Sequence, residues 1–215
     1  MRINAPRWRF PAPDSLRREL ARIAEGRLEK TGRPCPECAI FCPCSDSQTC
    51  TCACSPLCEQ AARQLSSDPE RFPIESGIQP LVHALNRIAG FQTIWSCEGH
   101  EGADGRLYRL PAVWFYLDAR ISDEARALPL LLSDYLSQLC GAGKLSCSWQ
   151  LRIGSWSRHP VIAYALEPQS HPKTPLSLPD LWHDVTALAD GLAQGLRNAA
   201  RQRTRLVDED RSRER

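Results

Sequence analysis

Eight of the eleven cysteines in this 215-residue chain fall in one short stretch. It reads Cys35-Pro-Glu-Cys38-Ala-Ile-Phe-Cys42-Pro-Cys44, then Cys50-Thr-Cys52-Ala-Cys54-Ser-Pro-Leu-Cys58. Thiolates are soft anionic donors, and four of them hold a tetrahedral zinc ion at about 2.3 Å. The Cys35-x-x-Cys38 spacing lets two sulfurs converge on one ion across a tight turn. The Cys-x-Cys spacings at Cys42/Cys44 and Cys50/Cys52/Cys54 suit sulfurs that bridge neighbouring ions. Cys35, Cys38, Cys42, Cys44, Cys50, Cys52, Cys54 and Cys58 are therefore read as ligands of one or two zinc ions. An iron–sulfur cluster is the alternative, although the spacing differs from the ferredoxin run of cysteines. A disulfide framework needs an oxidising compartment, and bare thiols at this density would oxidise readily.

A second group of reactive residues follows in Thr93-Ile94-Trp95-Ser96-Cys97-Glu98-Gly99-His100-Glu101-Gly102. Cys97 is a nucleophile or a ligand, Glu98 and His100 are acid–base groups, and Gly99 permits a tight backbone path. Cys97 and His100 stand three apart, close enough to touch one ion. The plain alternative is a solvated turn in which Cys97 only packs inward. Arg106, Arg109, Arg152 and Arg158 are the cations available for an anionic substrate.

The elements that must position these residues can be read from periodicity. Leu16, Leu20, Ile23, Ala24 and Leu28 recur at helical spacing between Asp14 and Lys30. The cysteine segment has almost no large apolar residue, so bonds to metal must hold it together. A connector, Ser66 to Pro73, leads to a helix over Ile78–Ala89 that Gly90 stops. A short strand over Phe91–Trp95 comes next, and then an apolar strand over Pro111–Leu117. A helix over Leu128–Leu139 precedes a strand alternating at Cys147, Trp149, Leu151 and Ile153, with Val161–Leu166 as its hairpin partner. The last helix begins near Pro179 and carries Leu181, Trp182, Val185, Leu188, Leu192 and Leu196 on one stripe. Cys140 and Cys147 read as small core residues, and His83 as a surface one.

Paired strands separated by helices predict an α+β fold: a mostly antiparallel sheet covered by helices, preceded by a small Cys-rich metal-binding module. The expected organisation is an N-terminal basic helix in residues 1–34, the Cys-rich module in 35–65, the α+β domain in 74–205 and a charged tail in 206–215. The element order also hints at a duplicated helix–strand–strand unit.

Net charge is +2, and it is unevenly spread. Residues 1–33 hold nine basic and four acidic side chains, and residues 197–215 hold seven and four. Such ends could touch nucleic acid weakly, or they could simply solvate terminal helices. The arginines before the cysteines, Arg17, Arg18, Arg22, Arg27 and Arg33, could offset the cluster's negative charge. No run reaches the length of a membrane helix, and Met1–Arg9 has no apolar stretch behind its charges. A cytoplasmic protein without a membrane partner is expected. No dinucleotide fingerprint is present, so no dinucleotide cofactor is expected.

From Gly77 to Leu117, a helix, a strand ending in Thr93-x-x-Ser96-Cys97, then Gly99 and an apolar strand resemble the wybutosine-synthesis methyltransferase family, which acts on a tRNA base. That family's pattern is similar to Ser-Cys-Ser-Gly-Arg, whereas this chain has Ser96-Cys97-Glu98-Gly99-His100. The resemblance implies an α+β fold with the Ser96–His100 loop at the site and an RNA substrate. Three functional readings follow. The first is a metal-binding protein, with zinc as the metal, whose Cys97/Glu98/His100 loop binds or transforms a small molecule. The second is a non-catalytic metal or redox interaction module. The third is an enzyme that modifies tRNA or another nucleic acid.

Overall fold

The computed structural model describes residues 13–26, 28–29, 74–117, 126–155, 162–169 and 176–213. The cysteine segment Cys35–Cys58 lies outside the described residues. Among the described residues there are four helices: α1 (Pro13–Glu25), α2 (Gln79–Arg87), α3 (Leu128–Gly141) and α4 (Leu178–Arg213). The strands are β1 (Phe91–Cys97), β2 (His100–Glu101), β3 (Leu107–Arg109), β4 (Ala112–Leu117), β5 (Trp149–Ser155) and β6 (Ile162–Pro168).

Four strands form one antiparallel sheet in the order β1-β4-β6-β5, and β2 and β3 form a separate small hairpin. The α+β architecture expected from the paired strands is the one observed. The two halves, α2-β1-β4 and α3-β5-β6, are arranged alike. In each, the helix packs on its own first strand, which lies at a sheet edge, and the second strands meet in the middle. The hinted duplication therefore has a counterpart in the topology.

Helices α2 and α3 cover the sheet, and α4 packs on α1, α2 and α3. The core contains Leu20 and Ile23 of α1, Leu81, Val82 and Leu85 of α2, and Phe91 and Phe115 of the sheet. It continues through Leu128, Leu131 and Leu132 of α3 and Val185, Leu188, Leu192 and Leu196 of α4. The basic helix α1 thus belongs to the body of the fold. Its Arg17 donates to Asp208 at 2.7 Å, near the far end of α4, which continues helically through Arg213. Close approach of α3 and α4 depends on Gly195, where a Cβ would stand 2.2 Å from the Tyr135 ring. The Tyr135 hydroxyl completes the contact by donating to the Leu188 carbonyl at 3.2 Å. Among the described residues, no helix is long and apolar enough to cross a membrane.

Two residues differ from their expected roles. Cys140 is exposed on the last turn of α3, because the buried stripe of that helix runs through Leu132, Tyr135 and Leu136. The ring of His83 is partly buried, and its Nε2 has no hydrogen-bond partner among the described residues. Burial, followed by nearby Arg87, lowers its pKa.

The carboxylate of Asp184 is fully buried and ties α4 to the segment entering β5. It accepts from the Ser146 N–H at 2.8 Å, the Ser146 hydroxyl at 2.9 Å and the Trp149 indole N–H at 2.9 Å. Truncating it leaves the buried Trp149 indole N–H and the part-buried Ser146 donors without their acceptor. Asp184→Ala is expected to lower stability by about 3 kcal/mol, measured by urea denaturation, with Asp184→Asn losing clearly less.

Candidate metal centre

The centre forms where β1 ends. Register along β1 and β4 runs Phe91 to Leu117 and Thr93 to Phe115, then slips so that Trp95 faces Trp114 and Cys97 faces Ala112. Ile94 is the extra residue. A bulge reverses which face the following side chains occupy. Here it puts Trp95 and Cys97 in phase with Trp114, and Ser96 in phase with Val113 and Phe115. Asn86 of α2 fixes the strand beside the bulge. Its Nδ2 donates to Thr93 Oγ1 at 2.7 Å, and its Oδ1 accepts from the Thr93 N–H at 3.0 Å, a group that an edge strand would otherwise leave unpaired.

Past Cys97 the chain turns through Gly99, whose φ is +89°. That conformation is strained for any residue with a Cβ. The turn carries His100 back toward the strand end, next to Glu75, which lies just before α2. One donor atom from each of Glu75, Cys97 and His100 lies within 4.8 Å of the other two. Cys97 is fully buried, the Glu75 side chain is 2% exposed, and that of His100 is 22% exposed. His100 Nε2 stands 3.6 Å from Glu75 Oε1. Two ligands each about 2.1 Å from a tetrahedral zinc stand about 3.4 Å apart, so this spacing fits an ion between them. These three residues form a group that could hold a metal ion.

The surroundings hold each donor in place. Glu75 Oε2 accepts from the Glu98 N–H at 2.8 Å, while Oε1 is buried with no hydrogen-bond partner among the described residues. A buried carboxylate oxygen left unpaired is costly, and a cation between it and His100 would remove the cost. The Cys97 sulfur accepts from the Gly99 N–H at 3.4 Å. Such outer contacts orient ligands and tune their basicity. Tyr108 of β3 stacks on the His100 ring, with centroids 5.7 Å apart.

The N-terminal end of α4 closes the back of this arrangement. The Trp182 indole N–H donates to the Glu98 carbonyl at 2.9 Å. Its ring lies over Gly77, where a Cβ would come within 2.4 Å of it. The Glu98 carboxylate accepts from the Gly77 N–H at 2.8 Å, so residues 75–77 and residue 98 are bonded to each other in both directions. Glu101 accepts from the Leu178 N–H at 3.3 Å, meeting one of the donors that a helix start leaves open.

Of the three loop residues expected to carry chemistry, Cys97 and His100 are brought together. The Glu98 carboxylate points instead to Gly77, and Glu75 supplies the acidic group beside the thiol. Sequence reasoning missed Glu75. The only signal available was a lone carboxylate between Ile74 and Ile78, both of which are buried. Elsewhere, burial and then the Asp184 carboxylate push the Cys147 thiol up to about 12. It is therefore not a thiolate at neutral pH.

Comparisons of the chain with protein-family models, with curated proteins and with solved structures found no match.

Gly99→Ala forces a Cβ to 2.8 Å from Leu178 Cδ1 and 2.9 Å from Pro111 Cδ, in a backbone region that alanine avoids. Gly105 has a similar φ of +72°, but there a Cβ meets nothing. Urea denaturation should show a loss of about 2 kcal/mol or more for Gly99→Ala, against about 1 kcal/mol for Gly105→Ala. Only the former should also lower metal uptake.

Proposed function

We propose that this is a metal-binding protein whose α+β domain holds a zinc ion through Glu75, Cys97 and His100 and keeps a coordination position open for a small-molecule ligand or substrate. The observation that carries this reading is the buried Glu75 Oε1, unpartnered among the described residues, beside His100 Nε2 and the Cys97 sulfur. A mixed carboxylate, thiolate and imidazole set suits zinc. Three protein ligands with a vacant fourth place characterise reactive zinc sites, whereas structural sites are closed by four. Glu98 serves here as a positioning residue, holding Glu75 by its N–H and Gly77 by its carboxylate. In the same reading, the eight cysteines from Cys35 to Cys58 bind one or two further zinc ions, with an iron–sulfur cluster as the alternative, and the protein works in the cytoplasm.

The test is metal content by elemental analysis on the full chain, purified without oxygen or chelator. Glu75→Gln, Cys97→Ser and His100→Gln should each hold about one zinc equivalent less than the unmodified chain, with an unchanged circular dichroism spectrum. Equal metal content in all four proteins would refute the site.

A second reading, an enzyme that modifies tRNA or another nucleic acid, is favoured by a separate observation. Trp95 and Trp114 meet edge to face with centroids 6.3 Å apart, and Arg109 and Arg152 lie over their rings at 5.6 and 5.9 Å. Aromatic and guanidinium planes on a sheet are what unpaired bases stack on. This reading also agrees with the resemblance of residues 77–117 to the wybutosine-synthesis family. It predicts binding of single-stranded RNA that weakens steeply with salt and that Trp114→Ala reduces about tenfold, measured by fluorescence anisotropy. Affinity indifferent to both changes would remove it.

A further inference from the structure

We infer that the Glu75/Cys97/His100 centre takes a ligand presenting an anionic oxygen, as a phosphate or carboxylate group, and that Arg109 supplies its counter-charge. This rests on the zinc reading above. A dipositive ion held by one carboxylate, one thiolate and a neutral imidazole has no formal charge left over. Attraction for an anion must therefore come from a nearby side chain.

Arg109 is placed to provide it. In the β2–β3 hairpin, His100 pairs with Arg109 and Glu101 with Leu107, so Tyr108 is an extra residue in β3. The bulge leaves Tyr108 and Arg109 together opposite the single residue His100. Tyr108 stacks on the imidazole and remains 71% exposed, forming an aromatic wall on the solvent side of the ligand. The Arg109 guanidinium lies 5.6 Å from the Trp95 ring, and Trp95 shares its strand phase with Cys97. Arg109 thus has its backbone paired with His100 and its guanidinium over the ring of Trp95, two residues before Cys97.

Arg109 also differs from its neighbours in having no acidic partner among the described residues. Arg152 likewise lies over a tryptophan ring, but its fork is bonded to both oxygens of Glu167 at 2.8 and 3.2 Å. Arg106 is paired with Asp104, and Arg203 with Asp134. The guanidinium lies over the Trp95 ring, and no acidic group among the described residues takes its donors. A guanidinium held in this way suits bidentate contact with a phosphate or carboxylate. His100 is the one donor of the three with appreciable exposure, so the open side of the centre is the side bearing Tyr108 and Arg109.

The experiment uses the full chain loaded with cobalt(II) in place of zinc and titrated with inorganic phosphate, read by paramagnetic broadening of the phosphorus-31 line. Cobalt content is measured in parallel. Broadening should saturate in the unmodified protein and be largely lost in His100→Gln, which should also hold less cobalt. Arg109→Gln should keep the full cobalt content while weakening phosphate about tenfold or more. Arg109→Lys, which keeps the charge without the fork, should fall between the two. Phosphate binding unchanged in Arg109→Gln would overturn the inference while leaving the metal centre intact. Absence of broadening in a protein whose cobalt exceeds that of His100→Gln would do the same. Equal cobalt in the unmodified and His100→Gln chains would overturn the metal reading itself, and this inference with it.

Discussion

The indole of Trp182 is the contact on which the centre depends. It joins the first turns of α4 to the backbone of Glu98 and packs against Gly77, so one rigid ring fixes the segment before α2 and the loop after β1 relative to each other. Glu75 and His100 sit on those two segments. A hydrogen bond from an indole N–H to a carbonyl contributes only about 1 kcal/mol. The geometric effect is larger, because Gly77 permits a ring where any side chain would push it away. The apolar stripe of α4, seated on α1, α2 and α3, holds Trp182 in turn. Core packing is thereby converted into the spacing of three donor atoms.

A second constraint acts through the strand itself. β1 lies at the edge of the sheet and ends in the centre, and the bulge at Ile94 turns its last residues out of phase with its first. Without that extra residue, Cys97 would share a face with Thr93 and Phe91. With it, the strand serves two purposes: its first half completes the hydrophobic core against Phe115, and its second half presents Trp95 and Cys97. The second bulge, at Tyr108, has the same effect on the hairpin. Both irregularities lie within a few residues of the proposed donors, consistent with bulges as devices that re-aim side chains.

Much of the fold was legible because its signals were local. Alternation through Trp149, Leu151 and Ile153, the stripe from Leu181 to Leu196, and Gly90 behind the α2 pattern each report a single element, and each element is present. The expected alternation holds at Trp149 but fails at Ile153, which is 68% exposed near the end of β5. Two of the three donors were legible too, because Cys97 and His100 are near neighbours joined by a glycine. Glu75 was not, since it comes from the far side of a helix and only tertiary packing joins it to them. Glu98 misled for a related reason: a carboxylate beside a thiol in sequence looks chemical, yet its backbone direction sends it to Gly77. The bulges were also invisible, because nothing in Ile94 or Tyr108 as residue types marks an insertion.

The segment from Glu75 to Arg109 contains all three donors proposed for this centre, both bulges and the proposed counter-charge. Centres of this kind are more often gathered from scattered parts of a chain, which ties their inheritance to the whole domain. Here the chemistry is compact enough to be moved, duplicated or lost as a single cassette of sequence. What the cassette lacks is the tryptophan that clamps it. A host fold would have to offer a helix end carrying an indole at the matching place, and that one requirement sets how freely such a unit can travel between proteins.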